Sequence, residues 1–126
     1  NGNRIMFNAF KRMRIFLGAS NKDGDLVRSA ISFNPQSSIG DLDTIAMCNI
    51  QKRLRESDLN PKKNYLMIQV HDSNAGVCER KNVEFVKQIV KEEMEKPIPN
   101  ITYKNIPLII PCEFCIGEDW KNLKEI

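Results

Sequence analysis

The sequence predicts an α+β fold in which helices pack on one face of an antiparallel sheet. Three observations point there. An apolar repeat at helical spacing follows Asn34 and Pro35, an apolar run Tyr65–Val70 is closed by turn formers, and a second helical repeat lies between Asn82 and Pro97. The 126 residues suit a single domain, and 41% hydrophobic with 28% charged residues is globular composition, which excludes a wholly disordered chain. No apolar run approaches the roughly 20 residues that cross a bilayer, and the start carries no signal-like apolar stretch, so neither a membrane span nor a secretory leader is expected. Four cysteines are too sparse to form the framework of a disulfide miniprotein. Asn1 is not an initiator Met, which fits a piece of a longer chain.

Each element has its own local reason. Residues 5–7 and 14–17 read as short strands or extended segments, closed by Gly18. Residues 20–25, with Gly24, read as a loop. Asn34 is placed to cap first-turn amides, and Pro35 suits the first helical position, where its missing N–H costs nothing. The spacing of Ile39, Leu42, Ala46, Ile50 and Leu54 then predicts one apolar helix face as far as residue 56. Pro61 ends that segment. Tyr65–Val70 reads as a buried strand, residues 71–76 as the bend of a hairpin, and Val77 and Cys78 as its return. Asn82 is positioned to cap a second helix with Val83, Val86, Val90 and Met94 on one face, stopped by Pro97 and Pro99. Residues 106–116 form a strand-rich run that Pro107 and Pro111 confine to an edge.

Charge is unevenly placed. Formal net charge is +3, yet residues 1–18 hold Arg4, Lys11, Arg12 and Arg14 with no acid. Interleaved with Phe7, Phe10 and Phe16, these cations suit phosphate contacts, although a solvated strand pair would show the same pattern. At the second hairpin bend, His71 and Asp72 follow a strand that would hold the carboxylate rigidly. Mg2+ requires hard oxygen ligands held with little geometric error; an Asx turn at Asp72 is the plainer alternative. Asp41 and Asp43 point to different sides of the first helix, and Asp41, in its first turns, would offset the helix dipole. Asp23 and Asp25 flank Gly24 like the opening of a calcium loop, but Asn34 stands where the twelfth-position Glu is needed. Cys112 and Cys115 have the spacing of a zinc knuckle or redox pair without a second close pair, which favours buried free thiols.

Four stretches, in order, resemble family A DNA polymerases. The run Tyr65–Val70 followed by His71-Asp72 resembles the family's third conserved palm motif, an apolar strand ending in Gln-Val before His-Asp. Residues 10–18, Phe-Lys-Arg-Met-Arg-Ile-Phe-Leu-Gly, resemble the basic segment after the fingers. Arg28, Gln36 and Asp41 resemble the Arg…Gln…Asp signature leading into a long palm helix, and residues 106–120 resemble the closing strand with its Gly-Glu-Asn-Trp tail. The short, divergent motifs are phage-like.

The resemblance implies an antiparallel palm-type sheet and a C-terminal palm portion spanning residues 1–126, a partial domain of a larger polymerase. It implies that Asp72 ligates catalytic Mg2+ and that His71 contacts the primer backbone. It further implies that Gln36 reaches the minor groove, that Arg28 lies near the duplex, and that Arg12 and Arg14 follow the nucleic-acid backbone. Two-metal transfer holds ions about 3.5–4 Å apart using carboxylates from two places. The second carboxylate and the nucleotide-binding fingers belong to motifs upstream of these. Implied partners are therefore primer–template DNA, deoxynucleoside triphosphates and the upstream polymerase portion, in a cytoplasmic setting with no membrane. Ser73 replaces the usual Glu after His-Asp, Ser32 replaces a common Asn, and the usual terminal His is absent. These departures keep open an alternative, a catalytically inactive duplex-DNA-binding or processivity module.

Overall fold

A computed structural model describes residues 2–19 and 22–126. In chain order its elements are β1 (Gly2–Phe7), β2 (Met13–Ala19), α1 (Gly24–Glu56), β3 (Tyr65–Val70), β4 (Ser73–Val77), a 3-10 turn (Arg80–Asn82), α2 (Val83–Met94), β5 (Thr102–Tyr103), β6 (Ile106–Pro107), β7 (Cys115–Ile116) and β8 (Lys124–Glu125). The α+β class holds, with long helices and antiparallel strand pairs. Among the described residues those strands form four separate two-stranded ladders, where one sheet was expected under both helices. The chain divides into two compact units, residues 1–45 with 97–108 and residues 46–96 with 109–126.

In the first unit, β1 and β2 form an antiparallel hairpin with Arg4 opposite Phe16, Ile5 opposite Ile15, Met6 opposite Arg14 and Phe7 opposite Met13. This bears out the two extended segments and lengthens both. Phe16 is buried and meets Phe33 of α1 edge to face, with ring centroids 6.2 Å apart. The helix begins eleven residues before the expected start, at Gly24 and not at Pro35. Asp23 Oδ1 accepts hydrogen bonds from the amides of Asp25 and Leu26, both at 3.1 Å, and so satisfies first-turn donors. Asn34 is therefore not the cap, and Pro35 lies inside the helix. A proline there removes one backbone donor but does not stop a helix already nucleated upstream and fixed by tertiary contacts. Ser20 and Asn21, in the expected loop, lie outside the described residues. In β5–β6, Lys104 and Asn105 both take positive φ, 50° and 65°, as a two-residue primed turn requires.

The second unit holds the central core: Ala46, Ile50, Leu54 and Ile89 are almost fully buried, with Leu59, Leu66, Val86, Val90 and Met94 packed on them. The expected α1 face is thus confirmed from Ala46 onward, and Leu42 of the same face is buried as well, whereas on α2 it is Ile89 that goes deepest. Arg53 clamps the two helices, donating to Glu92 at 2.7 Å and to Glu93 at 3.2 Å. Asn82 occupies the N-cap position, but its side chain donates to Asn64 Oδ1 and Glu79 Oε2 instead of capping. Its amide groups are taken because Asn64, itself buried, organises that corner.

The strand Tyr65–Val70 forms over the expected residues, yet it is not buried: Met67, Ile68 and Val70 are all about half exposed. With one partner strand, and only Leu66 turned into the core, the remaining apolar side chains have no layer to cover them. Gly76 is required opposite Leu66, since a Cβ there would stand 2.6 Å from the Tyr65 carbonyl oxygen. The run 106–116 yields only residue pairs of strand, because prolines at 107 and 111 deny the ladder its donors.

Candidate functional site

Val70 pairs with Ser73, so the bend of β3–β4 is only two residues long: His71 and Asp72. β4 therefore begins within the stretch expected to be turn. His71 takes φ of 56°, an unusual conformation for a residue with a Cβ, while Asp72 does not. Positive φ at the first central residue alone is the pattern of a II′-type hairpin, which matches strand twist. Both side chains are exposed. Among the described residues neither makes a side-chain hydrogen bond or ion pair, so Asp72 forms no Asx turn and its carboxylate is free to meet a ligand.

The donor chemistry of Asp72 suits Mg2+, a hard cation taking oxygen ligands. No group of three or more His, Cys, Asp or Glu side chains gathers to hold a metal among the described residues. By itself Asp72 offers one oxygen-ligand group and not a complete site. The cysteines give no zinc centre either. None of the four forms a disulfide; Cys48 and Cys115 are exposed and Cys78 and Cys112 half-buried, which corrects the expectation of buried thiols. Cys48 sits on an exposed position of α1 and the other three on irregular or short strand segments, and partial burial pushes the Cys78 thiol up.

The cations expected along nucleic acid fall into three situations. Arg12 is tied into the fold: its Nε donates to Asp41 Oδ1 at 2.9 Å and Oδ2 at 3.0 Å, and its Nη2 also reaches Oδ1. Asn8 Nδ2 donates to the same carboxylate at 2.6 Å. Asp41 is buried in the middle of α1, so it does not offset the helix dipole as expected; the helix starts too far upstream. Hydrogen bonding from Arg12 holds the Asp41 carboxyl below its ordinary range against the opposing effect of burial. Arg14 has no carboxylate partner among the described residues. Its guanidinium lies over Phe16 at 4.9 Å and Phe33 at 5.8 Å from the ring centroids, which fixes its plane while leaving its charge unmatched. Arg28 pairs with Asp25 one turn away on a fully solvated surface, a contact worth little. Gln36 is exposed on α1. Arg12, Arg14, Arg28 and Gln36 all belong to the first unit, and His71 with Asp72 to the second. Sequence reasoning missed the clip that Asn8 and Arg12 make on Asp41; a helix read from Asn34 put Asp41 in the wrong turn.

Comparison with known proteins gives first a class and then a family. The class of protein that this chain is similar to is DNA polymerase: the DNA polymerase I of Caldicellulosiruptor bescii is 29% identical over 126 residues, 97% of this chain. The chain spans only 14% of that protein's length. The family follows from a family model, DNA polymerase family A, that matches residues 3–122. The chain belongs to DNA polymerase family A. Among the described residues no helix is long and apolar enough to cross a membrane.

Proposed function

We propose that this chain is the C-terminal palm portion of a DNA-directed DNA polymerase and acts in template-directed nucleotidyl transfer with an upstream polymerase portion. The observation that carries the reading is the unpartnered, exposed carboxylate of Asp72 on a two-residue turn, within a chain of DNA polymerase family A. In the reaction the primer 3′ hydroxyl attacks the α-phosphate of a deoxynucleoside triphosphate and pyrophosphate leaves. Mg2+, when bound, lowers the hydroxyl's pKa and neutralises charge on the phosphates. Asp72 supplies one oxygen ligand for it, and a carboxylate outside this chain completes the set.

The other residues bind and orient. His71, adjoining Asp72 on the same turn, contacts the primer backbone. Gln36 reaches minor-groove acceptors shared by all correct pairs, which tests pair shape without reading sequence. Arg14 and Arg28 meet phosphates, and Arg12 does so with a charge already matched by Asp41. The test is complementation. The upstream polymerase portion is added to the chain and primer extension measured; wild type restores extension and Asp72→Asn does not. Undiminished extension by the variant overturns the assignment.

Ser73, where the family usually has Glu, favours a second reading, a duplex-DNA-binding or processivity module without catalysis. Under that reading Gln36→Ala and Arg28→Ala weaken primer–template binding, while Asp72→Asn changes no metal-dependent step.

A further inference from the structure

The β1–β2 hairpin has two unlike faces. Its register puts Arg4, Met6, Arg14 and Phe16 on one side, and Ile5, Phe7, Met13 and Ile15 on the other, with Leu17 following Ile15 at the strand period. On the first side Phe16 is buried against Phe33 of α1 and Met6 is half-buried, while Arg4 and Arg14 reach solvent. The second is bare: Ile5 is 56% exposed, Phe7 57%, Met13 54%, Ile15 47% and Leu17 72%. The charged residues of these strands, Arg4 and Arg14, both lie on the Phe16 side, so no charge from either strand interrupts the apolar face. Contiguous apolar surface of this kind marks an interaction site in a soluble protein. With no cation on it, this face does not suit phosphates.

We propose that this bare face seats the upstream portion of the polymerase, which covers it with an apolar, uncharged helix or strand face. The proposal rests on the reading that the chain works with such a portion. Two observations select this occupant. The C. bescii relative carries the matching segment in a much longer protein, of which this chain spans 14%, so most polymerase surface available to cover the hairpin lies outside this chain. Five side chains also fall well short of the roughly 20–30 residues per side of a stable interface between separate proteins. That is too little to hold a second copy, but enough for a neighbour also held elsewhere, for which binding here is a local event.

The experiment mixes the 126-residue chain, carrying a photocrosslinking amino acid at Ile15, with the upstream polymerase portion, and maps the crosslinks by mass spectrometry. In parallel, association is titrated for wild type, Ile15→Glu and a control, Lys62→Glu, in an exposed loop. Crosslinks to apolar residues of the upstream portion are expected. Ile15→Glu should weaken association about tenfold or more with an unchanged thermal midpoint, and the control should match wild type. No association, equal binding by Ile15→Glu, or crosslinks only to a second copy of the chain overturns the proposal. Primer extension separates the two readings. Extension that depends on Asp72 but not on Ile15 leaves the polymerase reading standing without the docking face. A complex that depends on Ile15 but extends no primer does the reverse.

Discussion

The bends that close β1–β2, residues 8–12, and β3–β4, residues 71–72, are held in opposite ways. Each contains a residue with positive φ, Lys11 at 64° and His71 at 56°. Around the first, polar groups are committed to structure. Asn8 is buried, its Oδ1 accepts the amides of Phe10 at 3.0 Å and Arg12 at 2.8 Å, and the Ala9 amide donates to Ser38 Oγ at 3.2 Å. Arg12 and Asn8 then converge on Asp41. Around the second, the strand ladder alone fixes the turn, and His71 and Asp72 face solvent without side-chain partners among the described residues. A carboxylate such as Asp41, saturated by donors, holds a fold; one such as Asp72, exposed on a two-residue turn, has no donor to satisfy it among the described residues.

The contrast is sharpest at the two aspartates. Asp72→Asn should lower primer extension by the completed enzyme at least about a hundredfold, the several kcal/mol that a catalytic metal supplies. Its unfolding free energy should stay within about 0.5 kcal/mol of wild type in urea titrations. A large loss of stability would make the turn a structural device and end the distinction. Asp41→Ala should instead destabilise the chain by about 2–4 kcal/mol, because Asn8 and Arg12 lose their common acceptor. A change below about 0.5 kcal/mol would show that the first bend is fastened elsewhere.

Acid should erase that second difference. The folded Asp41 carboxyl lies below its ordinary value of 3.8, mainly through the Arg12 hydrogen bond. Its contribution is complete above that value and fades as pH falls through the lower folded value. The stability gap between wild type and Asp41→Asn, followed by thermal unfolding, should therefore be constant at neutral pH and close only in acid below about 4. A gap that widens on acidification would reverse the sign of the argument.

Smaller effects divide the two hairpin arginines. Arg14→Ala should reduce primer–template affinity and remove about one unit from the salt slope in fluorescence anisotropy, whereas Arg12→Ala, with its charge already matched, should change the slope less. Equal slopes would mean that Asp41 does not hold Arg12 back from phosphate. Smallest is His71→Gly, which relieves a positive φ and should raise stability by up to about 1 kcal/mol.

Much of this was legible in the chain. The helical repeat from Ala46 to Leu54, the strand Tyr65–Val70 and the polar bend after it follow from spacing and turn chemistry, which are local properties. The resemblance to family A polymerases rested on residues later found within the matched stretch 3–122. The start of α1 was misplaced because Pro35 looks like a first-turn residue, while the Asp23 side chain that caps the helix sits in a stretch of ordinary loop composition. Residues 106–116 looked like strand because their apolar content is high, but two prolines withhold the donors that pairing needs.

By itself the sequence determined the α+β class, the apolar faces of both helices and the position of Asp72 at a hairpin bend, since each depends on residues within a few turns of one another. Only the tertiary structure decided that Arg12 is tethered while Arg14 keeps its charge unmatched, that Asp41 is saturated and Asp72 is not, and that one hairpin face stays uncovered. Those outcomes depend on which groups distant in the chain come within hydrogen-bond or van der Waals reach, and no local pattern encodes that distance.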